Sequence, residues 1–457
     1  MNHARRHAAV AGSSAAPFGS YVERMQAAGL LVVQPRMGMS SPARMRAGLL
    51  ATKHADGATA GTITLDSYTR VGDHAAAKIA LSDKVALNGY PIVAHGVRVS
   101  REVLEGIRDE HFPVQVRHGS ASPGEIFVTM AMIGLDASEG GPVSYCLPYS
   151  RMPLRESVRH WSDSCTRFSR LAELGASPHL ETFGGCMMGQ LCPPSLLIAI
   201  SVLEAMFFCN CGLRSVSLSY AQQTSAEQDL EAIQALRRLA AELLPGVQWH
   251  IVLYAYMGVY PSSRIGADRL LADASQLAVQ AGAARLIVKT AAEAHRIPTV
   301  AENVAALEQA ARTAITATVL PPVPETGLYA EARAIVEAVL DLHPDLGRAL
   351  VGAFERGYLD VPYCLHPDNL GRTRSVIDDA GWLRWSSTGN LPVPAVDQRR
   401  DAGELTSSGL LAALSYLARR YDGDEPAFAA PQQTQPLPDE ATAFGRSVEP
   451  SEMEHAR

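Results

Sequence analysis

Three short apolar runs in this chain end in arginine. Leu31-Val32-Val33-Gln34-Pro35 leads into Arg36, Thr62-Ile63-Thr64-Leu65-Asp66-Ser67-Tyr68-Thr69 into Arg70, and Val114-Gln115-Val116 into Arg117-His118-Gly119. A fourth run, Val143-Ser144-Tyr145-Cys146-Leu147-Pro148-Tyr149, follows an acidic, glycine-rich turn at Glu139-Gly140-Gly141. A guanidinium is planar, stays protonated and meets a carboxylate through two parallel hydrogen bonds. Three of them, delivered to one rim by separate strands, predict a pocket for a small molecule with two carboxylates. Taken singly, each residue has a plainer reading. A lone arginine after a strand commonly forms a surface ion pair, Tyr145 and Tyr149 could be core aromatics with satisfied hydroxyls, and Glu139 could cap a turn.

Apolar runs that close on a polar side chain and then turn into helix are how a β/α barrel builds its catalytic rim. Candidate strands recur at 30–36, 62–68, 91–96, 114–118, 143–147, 179–183, 214–220, 249–255 and 284–289. Helical patterns separate most of them, most clearly from Glu227 to Leu244, where Leu230, Ile233, Leu236, Leu239 and Leu243 repeat at three and four residues. Arg269 to Ala281 is a second such stretch. Alternating strands and helices predict a parallel sheet. The chain has no GxGxxG or Walker pattern, which favours a closed barrel over an open dinucleotide-type sheet. The expected fold is α/β, a (β/α)8 TIM barrel over residues 20–300 with a helical and mixed α+β C-terminal extension over 301–423. Residues 1–19 and 424–457, poor in large apolar side chains, are expected to be a disordered leader and tail.

Composition narrows the function classes. The 457 residues are 47% hydrophobic and 19% charged, ample for one barrel of roughly 250 residues plus additions. A net charge of −7 argues against nucleic acid or an anionic membrane as partner. The longest apolar stretch, Leu196 to Cys211, carries Glu204 and Asn210 and is too short to cross a bilayer. The Arg5-Arg6 pair has no apolar core after it, so a cytoplasmic protein is expected. Seven cysteines show no CxxC pair or zinc-type His/Cys spacing, so reduced structural thiols and no metal site are expected.

Longer ordered blocks carry a resemblance. They are Gln34-Pro35-Arg36, Leu87-Asn88-Gly89-Tyr90-Pro91, Arg117-His118-Gly119, Glu139 to Tyr149, Phe183-Gly184-Gly185 through Pro193-Pro194-Ser195, Leu286-Ile287-Val288-Lys289-Thr290 through Glu293, Ile297-Pro298-Thr299 and Ala353-Phe354-Glu355. From about residue 28 to 395 the chain resembles the large (epsilon) subunit of glutamate mutase, also called methylaspartate mutase. The resemblance implies a TIM-barrel subunit that uses adenosylcobalamin to interconvert L-glutamate and (2S,3S)-3-methylaspartate by radical rearrangement. It also implies a separate small cobalamin-binding subunit and, by analogy, a pair of large subunits in a heterotetramer. Within it Arg36, Arg70 and Arg117 match the arginines that grip substrate carboxylates, followed by His118. Glu139 matches the acid that contacts the substrate ammonium and can act as a base, and Tyr145 and Tyr149 match substrate-positioning tyrosines. Gly38, Asn88, Pro148, Lys289, Glu293 and Ile297 match positions near the adenosyl group, and Tyr260 stands where an aromatic residue lies against the cofactor. Cys146, Ser150-Arg151-Met152, Ala221-Gln222-Gln223-Thr224 and Tyr254-Ala255-Tyr256-Met257-Gly258 depart from the family wording.

The cobalt-ligating Asp-x-His-x-x-Gly pattern of the small subunits is missing. Its nearest approach, Asp341-Leu342-His343-Pro344-Asp345-Leu346-Gly347, is one residue too long and reads as a helix end, so a partner is expected to carry the cobalt. Two rival readings stand beside the mutase. Lys289 closes an apolar strand as a Schiff-base aldolase or lyase would present its nucleophile. Alternatively, the chain is a non-catalytic paralogue that binds a dicarboxylate.

Overall fold

The computed structural model describes residues 16–186, 191–393 and 406–423. Eight parallel strands build one sheet: β1 (Val32–Gln34), β2 (Gly61–Thr64), β3 (Val114–Arg117), β4 (Ala137–Gly140), β5 (His179–Thr182), β6 (Ser215–Ala221), β7 (Gln248–Tyr254) and β8 (Arg285–Ile287). Neighbours pair in chain order from β2 round to β8, and β8 pairs with β1. A parallel bridge between Val33 and Thr59, with Val33 N donating to Ala58 O at 2.8 Å and Thr64 N to Met37 O at 2.9 Å, joins β1 to the β2 segment and closes the ring. The fold is the expected (β/α)8 barrel.

Two of the nine expected strands are not strands. Ile92 opens the helix Ile92–Leu104 directly after Pro91, whose missing N–H costs nothing at a helix start. Val143 to Tyr149 is a run of tight turns, buried as far as Leu147 and never extended. The true fourth strand is Ala137-Ser138-Glu139-Gly140, four residues with almost no β-propensity that the barrel imposes by pairing on both sides. Glu139 is thus a strand residue and not part of a turn.

The helix Phe18–Ala27 starts inside the stretch expected to be leader, because Phe18, Tyr21 and Val22 bury against Val32, Ala60, Ala137 and Ala284 beneath the barrel. The remaining expectation of disorder, at 1–15 and 424–457, lies outside the described residues. The helix Val300–Ile315 follows β8 and packs on the helices Arg264–Gln280 and Pro42–Lys53, so it completes the barrel's outer ring and does not begin the extension. Beyond it, Leu328–Leu340 and Leu346–Arg356 form a second layer over Pro194–Asn210 and Leu154–Ser169. Covered on both sides, Pro194–Asn210 is apolar all round, as a helix buried between two layers must be. The segment Asp341 to Gly347 is the expected helix junction, with Asp345 accepting from Arg348 N at 2.8 Å. An antiparallel hairpin, β9 (Arg374–Ile377) with β10 (Leu383–Ser387), and two short helices, Ser407–Leu414 and Tyr416–Asp422, complete the extension.

Candidate active site

The three arginines rise from the C-terminal ends of adjacent segments, where a β/α barrel places its chemistry. Arg36 stands two residues past β1, and Arg117 is the last residue of β3. Arg70 arrives differently from the sequence reading. After β2 the Asp66 carboxylate caps a short helix, Ser67–Val71, accepting from Tyr68 N and Thr69 N at 2.9 and 3.0 Å, and Arg70 lies on that helix.

A cavity of about 670 Å³ gathers Arg36, Gly38, Arg70, Asn88, Arg117, His118, Glu139, Tyr145, Tyr149, Glu293 and Ile297 into one lining, with Met37, Met39, Thr64, Phe183 and Asn303 between them. The structure leaves three expected residues outside this lining. Pro148 lines an adjoining cavity of about 940 Å³ that shares Arg70, Gly119 and Tyr149 with the first. Lys289 and Tyr260 form a layer behind the wall, the ammonium 4.3 Å from the ring centroid and donating to Gly258 O at 3.3 Å.

Glu139 is the centre of the floor. Its carboxylate accepts from Arg117 Nε at 2.7 Å, from Tyr254 Oη at 2.8 Å and, at closer range, from Tyr145 Oη. The Arg117–Glu139 pair is buried, so its hydrogen bonds are strong and removal of either partner strands a charge. Arg117 Nη1 and Arg70 Nε are buried yet have no hydrogen-bond partner among the described residues. Both arginines line the cavity, and a guanidinium there suits an anionic ligand. His118 Nδ1 accepts from Ser120 N at 3.0 Å, which puts the ring proton on Nε2. Burial and then the Arg70 charge press its basicity down to about 3, so it remains a neutral ring. On the other side Arg36 Nη1 meets Glu293 Oε2 at 3.3 Å, because β1 and β8 are neighbours.

The glycine pair after Glu139 has a steric cause. A Cβ on Gly140, which sits at φ +133, would strike the Tyr145 ring at 2.5 Å, and one on Gly141 would meet the Glu204 carboxylate at 2.0 Å. That close approach lets Glu204, from the buried helix Pro194–Asn210, accept from Val143 N at 3.2 Å and from Ser144 N and Ser144 Oγ at 2.9 Å. Glu204 thereby holds the turn that carries Tyr145 and Tyr149. Burial pushes its carboxyl up to about 7. Folded Glu204 keeps a proton that the unfolded chain releases near 4.5, so stability is fully present below that pH, falls up to about 7 and is flat above. Glu204→Gln preserves an acceptor for the turn and removes this titration. The difference in unfolding free energy between wild type and variant should shift in the variant's favour by roughly 3 kcal/mol across that window. A difference that stays constant with pH in urea titrations would refute the assignment.

Sequence reasoning missed the layer below. Tyr254 bridges Glu139 to Glu181, which pairs with the fully buried Arg285. Gln34, Thr62, Gln115, Ser217 and His250 surround that pair. Barrel interiors are usually branched aliphatics; the signal available was a run of strands with Gln, Ser, Glu and Arg at inward positions. Cys146, the departure between the two tyrosines, is buried and donates to Met152 O at 3.3 Å, and its thiol is pushed up to about 12, so it is inert packing.

Residues 14–408 match the family described as methylaspartate mutase E chain (MutE). The chain belongs to that family. Among its relatives is the glutamate mutase epsilon subunit of Escherichia coli O157:H7, 31% identical, with 72% of each chain covered. The glutamate mutase epsilon subunits of Halobacterium salinarum and Yersinia enterocolitica are 32% and 30% identical, covering 80% of this chain and 79% of theirs. The mutase E-chain match stops at residue 408, before the helix Tyr416–Asp422. Among the described residues no helix is long and apolar enough to cross a membrane.

Proposed function

We propose that this chain is the substrate-holding catalytic subunit of an adenosylcobalamin-dependent glutamate mutase, interconverting L-glutamate and (2S,3S)-3-methylaspartate. The observation that carries the reading is the convergence of Arg36, Arg70 and Arg117 on one cavity whose lining also holds the Glu139 carboxylate. Arg36, Arg70 and Arg117 take the two carboxylates, and Glu139 takes the ammonium. Each charge-assisted contact contributes about 1.5–3 kcal/mol, so together they can hold a fragment whose carbon–carbon bond has broken. Tyr145, Tyr149 and Phe183 supply the aromatic part of the cavity lining.

The residues present suit the cofactor's organic end. Gly38 lies on the lining where its backbone packs on Thr64, whose carbonyl oxygen a Cβ would strike at 2.2 Å, and the buried Thr64 Oγ1 beside it has no partner among the described residues. Gly38, Asn88, Glu293 and Ile297 on the lining, Pro148 next door, and Lys289 with Tyr260 behind are the residues to hold it. When bound, adenosylcobalamin supplies the radical chemistry. The cobalt would be ligated by a separate small subunit, in a heterotetramer with two copies of this chain. The reading is tested by mixing the chain with that subunit, adenosylcobalamin and L-glutamate and following 3-methylaspartate by NMR. Product only from the complete mixture supports it. Association without product favours a dicarboxylate-binding paralogue.

A Schiff-base lyase through Lys289 has one observation in its favour: burial draws the ammonium down to about 8. Its place over Tyr260 and bonded to Gly258 O favours a cation held in position over a free nucleophile. Borohydride added with substrate should therefore leave the protein mass unchanged, and a covalent adduct at Lys289 would establish the lyase.

A further inference from the structure

Two cavities meet at one partition. The arginine pocket of about 670 Å³ and its neighbour of about 940 Å³ have Arg70, Gly119 and Tyr149 in common. These three residues pack on one another. A Cβ on Gly119, which sits at φ +67, would strike Arg70 Nε at 2.9 Å, and the Arg70 guanidinium lies 5.5 Å from the centroid of the Tyr149 ring. That ring is otherwise met by those of Tyr145 and Phe183, at 5.9 and 6.4 Å, and is 40% exposed. A change of its rotamer trades such contacts without unmaking a strand or a helix, and exposed side chains make these changes in picoseconds to nanoseconds.

The neighbouring cavity suits a small anion. It lies on the flank of the rim, between the loops that follow β2, β3 and β4 and the turn Tyr363 to His366 of the extension. Val71 and Leu365 on its lining are exposed, so it opens to solvent. Its volume falls in the range of ligand sites, about 300–1,000 Å³. The lining carries one carboxylate, that of Glu125, which His74 engages at 2.7 Å. Against it stand two guanidiniums, those of Arg70 and the exposed Arg151. A cleft with a surplus of one sign gathers the opposite charge and speeds its arrival.

The residues assigned to the cofactor divide unequally between the two cavities. Gly38, Asn88, Glu293 and Ile297 line the arginine pocket, whereas Pro148 alone of the set lines the neighbour. A group held on the first four occupies the pocket's own lining and leaves the flank open. We propose that the larger cavity is the entrance through which a small dicarboxylate reaches the arginine pocket once the small subunit and its cobalamin are in place. Arg151 draws the anion in. Arg70, which lines both cavities, keeps hold of a carboxylate across the partition while Tyr149 turns aside. The assignment rests on reading the arginine pocket as the substrate site.

A route alters rates and leaves equilibria alone, because entry and exit share it. The test therefore follows L-glutamate association and dissociation by stopped-flow fluorescence in two forms. One is the full chain alone; the other is its complex with the small subunit and a cobalamin without the adenosyl group, so that bound glutamate stays unreacted. Ser122→Trp puts a large ring on the larger cavity's lining at an exposed position. In the complex both rates should fall at least about tenfold, with Kd within about twofold of wild type. In the chain alone both rates should stay at wild type. Arg151→Glu should slow association in the complex by about threefold to tenfold at low salt, and the difference should shrink as salt is added. Wild-type rates in the Ser122→Trp complex would overturn the entrance, as would a Kd weakened in both forms, which places the damage in the arginine pocket. Should Ser122→Trp fail to fold, Arg151→Glu decides: a wild-type association rate at low salt overturns the proposal. If the wild type binds no L-glutamate in either form, the mutase reading itself fails and the entrance falls with it; binding that the variants leave untouched sinks the entrance alone.

Discussion

Arg117→Lys should lower kcat/KM by roughly 100-fold or more, with the protein folded and its small subunit still bound. Arg117 serves two masters. Its Nε is committed to Glu139 at 2.7 Å, while the rest of its guanidinium, on a residue that lines the cavity, is left for the ligand. A planar fork can do both at once; an ammonium is a point charge on a flexible stem and can satisfy one. The lysine variant therefore loses a substrate bond, frees Glu139 from its orientation, or alternates between the two. About two charge-assisted contacts are at stake, roughly 3 kcal/mol or more. Arg36→Lys should cost less, because Arg36 is about a third exposed and shares its charge with Glu293 in partial solvent. Steady-state kinetics of both variants, with thermal melts as the folding control, make the comparison. Near-normal turnover in Arg117→Lys would refute the carboxylate-grip assignment.

That arginine was legible in the sequence because a β-branched run led straight into it, and Arg36 for the same reason. Arg70 was found for a partly mistaken reason: the strand stops at Thr64, and the Asp66 cap, a short side-chain signal inside an apolar run, starts a helix before Arg70 is reached. Glu139 needed the family blocks, because a strand spelled Ala-Ser-Glu-Gly is set by its neighbours' hydrogen bonds and not by its own composition. The same physics hid Tyr254, Glu181 and Arg285. Which of a strand's two faces looks into the barrel depends on register, and a polar residue in a short strand reads as solvent-facing until the ring is closed. Pro194–Asn210 illustrates the converse. Its all-round apolarity was visible, but the layer that covers it comes more than a hundred residues later, so its service to the site through Glu204 could not be read locally.

Two truncations should behave in opposite ways. Ending the chain after Gly423 should leave activity and Tm unchanged, while ending it after Ser415 should lower Tm by several degrees and activity by about tenfold or more. The difference is the helix Tyr416–Asp422. Its Leu417 is buried in one cluster with Tyr256, Tyr260, Ala267 and Leu270, a burial worth about 1.5–3 kcal/mol, and Ala418 is buried as well. Asp422 accepts four bonds, from Ser262 N at 2.7 Å, Ser262 Oγ at 2.8 Å, Ser263 N at 3.0 Å and Ser263 Oγ at 2.6 Å. The segment it grips carries Gly258 and Tyr260, the two contacts of Lys289, and Ser262 O meets His295 Nε2 at 3.2 Å on the cavity's rim. Releasing the helix frees that segment at one end while the barrel holds it at the other, so Lys289 loses its seat without any change to the arginines. The activity loss should accordingly fall on kcat and on cofactor affinity, with the KM for glutamate nearly constant. Asp422→Ala should reproduce part of it. A KM effect as large as the kcat effect would place the damage in the arginine pocket and contradict this role for the helix.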